Sequence, residues 1–158
     1  MNTSFGANSL TALTTGIRNT AVGTNVLSSN TSGERNTAIG EQTMFSNTSG
    51  LNNTAVGVGA LYSNTTASDN VAIGRNALTS SNGNGNTALG FRALNNNAIG
   101  ENNVAIGYNS LRNNNANNNY GIGYQTLYNN TIGKNNLAIG FESGFYNLGS
   151  NNTSIGYK

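Results

Sequence analysis

Large apolar residues recur along this chain in short bursts that keep step with glycine. A five-residue signature ending in Gly has its anchors at Gly6, Gly23, Gly40, Gly57, Gly74, Gly90, Gly107, Gly123, Gly140 and Gly156. The gaps between anchors run 17, 17, 17, 17, 16, 17, 16, 17 and 16, so nine repeats and a final signature fill residues 1–158 as one domain. Just before each anchor stand Phe5, Val22, Ile39, Val56, Ile73, Leu89, Ile106, Ile122, Ile139 and Ile155, all large and apolar. One step earlier come Ser4, Ala21, Ala38, Ala55, Ala72, Ala88, Ala105, Gly121, Ala138 and Ser154, all small. Four after the anchor lie Leu10, Leu27, Met44, Leu61, Leu78, Leu94, Leu111 and Leu127; Gly144 breaks that column, with Phe145 beside it.

A large apolar residue beside a small one in a β-branched stretch predicts a strand with two unlike faces. The expectation is that the Val/Ile side fills a core and the Ala side lets another layer approach. Coils of 16–17 residues are too short for two helices and a turn. They suit two short strands with tight corners, which makes the fold class all-β: a β-solenoid, here a parallel β-roll. Glycine at the anchor, and again ten later at Gly16, Gly33, Gly50, Gly100 and Gly133, supplies corners that need positive φ or close backbone approach. The 16-residue coils read as one-residue deletions at such a corner.

One polar column is as regular as the apolar ones. Four before the anchor the residue is always Asn: Asn2, Asn19, Asn36, Asn53, Asn70, Asn86, Asn103, Asn119, Asn136 and Asn152. Coils stacked at about 4.8 Å bring identical amides within hydrogen-bond reach, so this column is expected to form a structural ladder along the axis.

Composition changes the picture mainly by exclusion. Of 158 residues 34 are Asn and 21 are Gly, a bias that alone would suggest a disordered tract, and the period argues against that. Cys, His, Trp and Pro are absent, which excludes disulfides, Cys/His metal sites and Ser-His or Cys-His nucleophile pairs. No cofactor is expected. Seven bases and five acids are scattered singly, so no nucleic-acid face is expected, and no apolar run approaches the roughly 20 residues of a membrane span. A roll this thin has little interior, so lateral packing of copies, three around one axis with the Ala column as seam, is the expected assembly.

The segments Asn-Thr-Ala-Val-Gly (19–23), Asn-Thr-Ala-Ile-Gly (36–40), Asn-Val-Ala-Ile-Gly (70–74) and Asn-Leu-Ala-Ile-Gly (136–140) resemble the head repeats of YadA-like trimeric autotransporter adhesins. They are equally similar to repeats of phage and algal-virus tail-fibre proteins. The resemblance implies a left-handed parallel β-roll, a side-by-side homotrimer, and an adhesive or spacer function at a surface. The spacing here is longer than in the typical adhesin head, which implies an added loop per coil.

Candidate chemistry is sparse. Just after the anchor, five consecutive coils carry Phe91, Tyr108, Tyr124, Phe141 and Tyr157, a strip about 20 Å long that could pack sugar rings against apolar faces. A second group, Phe45, Tyr62, Tyr128 and Phe145, follows the Leu column and reads as wall. The acids Glu34, Glu41, Asp69, Glu101 and Glu142 mark no cleft, and no enzymatic activity is expected. Asn30-Thr31-Ser32, Asn47-Thr48-Ser49 and Asn64-Thr65-Thr66 match the glycosylation triplet in a loop expected to be accessible. The function expected is a non-enzymatic structural or adhesive module, the shaft or head of a surface or virion fibre. Its partners are copies of itself and a surface glycan or receptor. With no secretory signal at Met1, a virion fibre is expected ahead of an exported adhesin. Two alternatives are an extracellular filament stacked end to end and an ice-binding protein. The ice-binding Thr column (Thr3, Thr20, Thr37, Thr54, Thr87, Thr153) loses regularity at Val71, Val104, Tyr120 and Leu137.

Overall fold

The structure, a computed structural model, describes all 158 residues, Met1–Lys158. It is a parallel β-solenoid of about nine turns with no helix, and so with none long and apolar enough to cross a membrane. Each coil contributes one three-residue strand: β1 (Thr3–Phe5), β2 (Thr20–Val22), β3 (Thr37–Ile39), β4 (Thr54–Val56), β5 (Val71–Ile73), β6 (Thr87–Leu89), β7 (Val104–Ile106), β8 (Tyr120–Ile122), β9 (Leu137–Ile139) and β10 (Thr153–Ile155). The ten lie in chain order in a single sheet, every pair parallel and in register, Ala38 opposite Ala55 and Ile39 opposite Val56.

The second strand expected in each coil is absent. The remainder of the coil is turn and bend, such as the turn at residues 24–29. Two positions of that turn explain it. The residue two after the anchor (Asn25, φ 57°) and the apolar residue four after it (Leu27, φ 47°) are both left-handed, and the pattern repeats from coil to coil. A left-handed Leu costs about 1–2 kcal/mol, which burying its side chain offsets by a similar amount or more. These turns are not loose. Leu27 N donates to Thr43 O at 3.2 Å, Met44 N to Ala60 O at 3.0 Å and Leu61 N to Ala77 O at 3.0 Å, so turn stacks on turn as strand stacks on strand.

The two faces of the strand are reversed from the sequence expectation. Ala21, Ala38, Ala55, Ala72, Ala88, Ala105 and Ala138 are fully buried, packed in one cluster with the Leu column of the opposite wall. The Val/Ile column faces outward; Ile39, Ile73, Leu89 and Ile122 are about two-fifths exposed. The reason is thickness. A coil of 16–17 residues encloses room for one large side chain across its width, and Leu takes it, so the facing residue must be Ala. The Ala column therefore cannot be a seam between copies.

The 16-residue coils lose their residue at the corner that holds Gly33 and Gly50 in the longer ones. Asparagine side chains fill the gap: Asn82 Oδ1 accepts from Thr65 N at 2.8 Å, and Asn115 Oδ1 from Ile99 N at 3.0 Å, where a 17-residue coil offers a backbone carbonyl.

Candidate functional site

The Asn column four before the anchor is an interior spine. Each side-chain oxygen accepts from the backbone N–H of the equivalent Asn one coil on: Asn2 from Asn19 at 2.8 Å, Asn36 from Asn53 at 2.9 Å, Asn53 from Asn70 at 3.0 Å, and so to Asn136 from Asn152 at 3.0 Å. The amide nitrogen donates to the corner carbonyl of the next coil, Asn36 to Gly50 at 2.7 Å and Asn119 to Gly133 at 2.8 Å. Side chain bonds mainly to backbone, with amide-to-amide contacts added at Asn53, Asn103, Asn136 and Asn152. Asn19, Asn36, Asn53, Asn70, Asn86, Asn103, Asn119 and Asn136 are buried, and Asn2 and Asn152 lie on the terminal coils.

A second buried ladder went unread in the sequence. Seven after the anchor stand Asn30, Asn47, Asn64, Ser81, Asn97, Asn114 and Asn130. Here amide does bond amide: Asn47 Nδ2 to Asn30 Oδ1 and Asn64 Nδ2 to Asn47 Oδ1, both at 2.8 Å, then Asn130 Nδ2 to Asn114 Oδ1 at 3.1 Å. Its signal, Asn at seven of the nine positions seven after an anchor (Leu13 and Ser81 are the exceptions), was open to the same reading as the first. The accessibility expected of the three glycosylation triplets is overturned with it, because Asn30, Asn47 and Asn64 are fully buried with their amides engaged.

Ser81 interrupts this ladder. Its hydroxyl is turned to Gly83 N, leaving Asn64 Oδ1 buried and unpaired, and Asn70 Nδ2 is unpaired in the coil junction beside it. Asn114 occupies the same position in another 16-residue coil and bonds there normally. Ser81→Asn is therefore expected to stabilise the protein by about 1 kcal/mol, read as a higher urea midpoint at unchanged slope.

The aromatic strip is a ladder of stacked rings. Phe91, Tyr108, Tyr124, Phe141 and Tyr157 have centroids 5.2, 5.3, 4.9 and 5.2 Å apart in succession, with interplanar angles of 20° or less. Each interior ring thus has both faces against its neighbours and offers its edge to solvent. At one end the Arg92 guanidinium lies over Phe91 at 4.9 Å. Sugar rings stack on open aromatic faces, and only Tyr157 retains one. The second group forms separate stacks, Phe45 on Tyr62 and Tyr128 on Phe145, with Arg112 bonded to the Tyr128 hydroxyl.

The acids are dispersed. Glu34 pairs with Arg35 and Glu142 with Lys158, both at 3.4 Å, and Glu101 accepts from Asn84 Nδ2 at 3.2 Å. An open depression lined by Asn118, Tyr120, Asn135, Asn136 and Leu137 contains no acid or base.

What the outside of the roll does offer is the sheet face. Strands β2–β9 turn their first and third residues outward around a buried middle one, and with the terminal strands β1 and β10 they give two parallel columns about 45 Å long. One is Thr, Val, Tyr or Leu; the other is without exception large and apolar. Comparison with protein-family models, curated proteins and solved structures finds no match to this chain.

Proposed function

We propose that this chain is a structural and adhesive module, the shaft or head of a surface or virion fibre, whose left-handed rolls pack side by side in threes through the outward sheet face. The observation that carries the proposal is the unbroken column from Phe5 to Ile155, ten large apolar side chains on ten paired strands, left partly exposed by the fold. A continuous apolar line of this length is more than soluble monomers ordinarily leave bare. Every coil is in register, so the column runs without a break from β1 to β10 and presents the same unit to a second identical face at each step. Closed rotational symmetry then covers all copies equally. The motif resemblance to trimeric adhesin heads and tail-fibre repeats points the same way. The rest of the chain suits a load-bearing part, since its polar groups are committed to coil-to-coil hydrogen bonds.

Sedimentation velocity tests this. The wild-type protein is expected at three times its 16.3 kDa chain mass. Ile122→Asp places a carboxylate within the face, on β8 of its ten strands, at a position already 38% exposed, so the roll folds as before. In the assembly that charge is buried without a partner, at about 3–5 kcal/mol, a weakening of roughly a hundredfold or more. A folded wild-type monomer overturns the proposal.

A further inference from the structure

The aromatic ladder contains one contact unlike the others. Phe91 stacks on Tyr108, Tyr124 on Phe141 and Phe141 on Tyr157, each pairing a phenyl ring with a phenol. Phe45–Tyr62 and Tyr128–Phe145 do the same elsewhere on the roll, and Phe145 meets Tyr146 edge to face. Only Tyr108 and Tyr124 bring two phenols together, at 5.3 Å between centroids and 6° between planes. Both rings are accessible, 46% and 40% exposed, on the adjacent coils that carry β7 and β8. Gln125 N donates to Tyr108 O at 2.9 Å, which locks the backbones of the two coils beside the rings.

We propose that Tyr108 and Tyr124 are an oxidative cross-linking site, which joins into a bityrosine and staples two successive coils covalently. The co-reactant is a peroxide acting through a one-electron oxidant such as a haem peroxidase. Each phenol gives up one electron and one proton, leaving two phenoxyl radicals. These share their unpaired electrons in a new bond between one ortho ring carbon of Tyr108 and one of Tyr124. The hydrogen on each joined carbon then moves to the ring oxygen, restoring two phenols. The two electrons and two protons released reduce one hydrogen peroxide to two waters.

Position favours this pair. Radical coupling is second order, so two phenoxyls formed side by side at fixed distance join far faster than two meeting by diffusion. The stacked rings must swing edge to edge to bond, a rotamer motion open to surface side chains on the picosecond to nanosecond scale. Phe91 and Phe141 form no phenoxyl, so they insulate the pair from propagation along the ladder, and Phe141 separates Tyr157 from it.

The test treats the folded protein with hydrogen peroxide and a haem peroxidase, then reads the blue bityrosine emission, the intact mass and a peptide map. The expected product has lost two hydrogens, runs as a single chain under denaturing conditions, and maps to Tyr108 linked to Tyr124. Tyr108→Phe keeps the stacked ring and abolishes the emission. Phe141→Tyr extends the run of phenols from two to four and raises the yield. The staple closes a loop of about 16 residues and is expected to raise the melting temperature by roughly 6–12 °C. The proposal is overturned if no bityrosine forms, if Tyr108→Phe forms as much, or if the links map to other tyrosines. It is likewise overturned if links form only between chains, or equally well in denaturant.

Discussion

Gly123→Ala is expected to abolish folding. A Cβ built at Gly123 falls 2.1 Å from the carbonyl oxygen of Gly140, the equivalent glycine one coil on, and 2.8 Å from its carbonyl carbon. Both atoms are backbone, so no side-chain rotation relieves the clash. The coils must separate, and the bonds that hold them there, such as Gly140 N to Ile122 O at 2.9 Å, open with them. The backbone at Gly123 has φ +135°, a region almost closed to residues with a Cβ. Together these put the cost above about 5 kcal/mol, comparable to the whole stability of an ordinary domain. Gly156→Ala separates the two causes. Gly156 has nearly the same φ, +134°, but nothing within 4 Å of its virtual Cβ, so it should lose only about 1–3 kcal/mol and remain folded. Far-UV circular dichroism and thermal melts of the two variants give the comparison. Equal losses would mean that φ alone makes the anchor glycine.

Asn53→Leu is the second large effect expected. The substitution keeps the branched skeleton of the side chain but removes its hydrogen bonds and puts bulkier methyls in their place, so lost hydrogen bonding and overpacking act together. Asn53 Oδ1 accepts from Asn70 N at 3.0 Å, and Asn53 Nδ2 donates to Ala67 O at 2.9 Å. With Leu in place, the Asn70 N–H is left without a partner in the interior at about 1–3 kcal/mol, the Ala67 carbonyl keeps only its bond from Asn64 Nδ2 at 3.1 Å, and fitting the bulkier methyls costs about another 1–3 kcal/mol. The expected loss is roughly 2–6 kcal/mol, read as a lowered urea midpoint at unchanged slope. Asn96→Leu is the control. Asn96 is exposed and bonds Asn113 Oδ1 at 2.8 Å on the surface, so its loss should stay within about 0.5 kcal/mol. If the two variants were equally destabilised, the interior spine would have no special role.

These predictions set apart what was readable in the chain from what was not. The anchor spacing located all ten strands, because stacking coils at one pitch forces like residues to recur at like phase. The Asn spine was readable for the same reason, and its companion through Asn30, Asn47 and Asn64 could have been. The absence of a second strand was not, because it turns on the left-handed backbone at Leu27, Met44 and Leu61, a conformation that leucine rarely takes and composition does not announce. The aromatic strip was legible as a column but not as a function. Whether ring faces or ring edges meet solvent depends on side-chain stacking, and stacking left the faces of Tyr108 and Tyr124 covered.

By itself the sequence determined the period, the strand positions, the parallel register and the polar spines, all consequences of one unit repeated along an axis. Tertiary structure alone decided which side of each strand is inside. Alternation sorts Ala38 and Ile39 onto opposite faces but is symmetric between them, and hydrophobicity favours burying the larger. The width of a coil breaks that symmetry. Leu27, Met44 and Leu61 span the interior from the opposite wall, so only alanine fits against them, and isoleucine is sent to the surface.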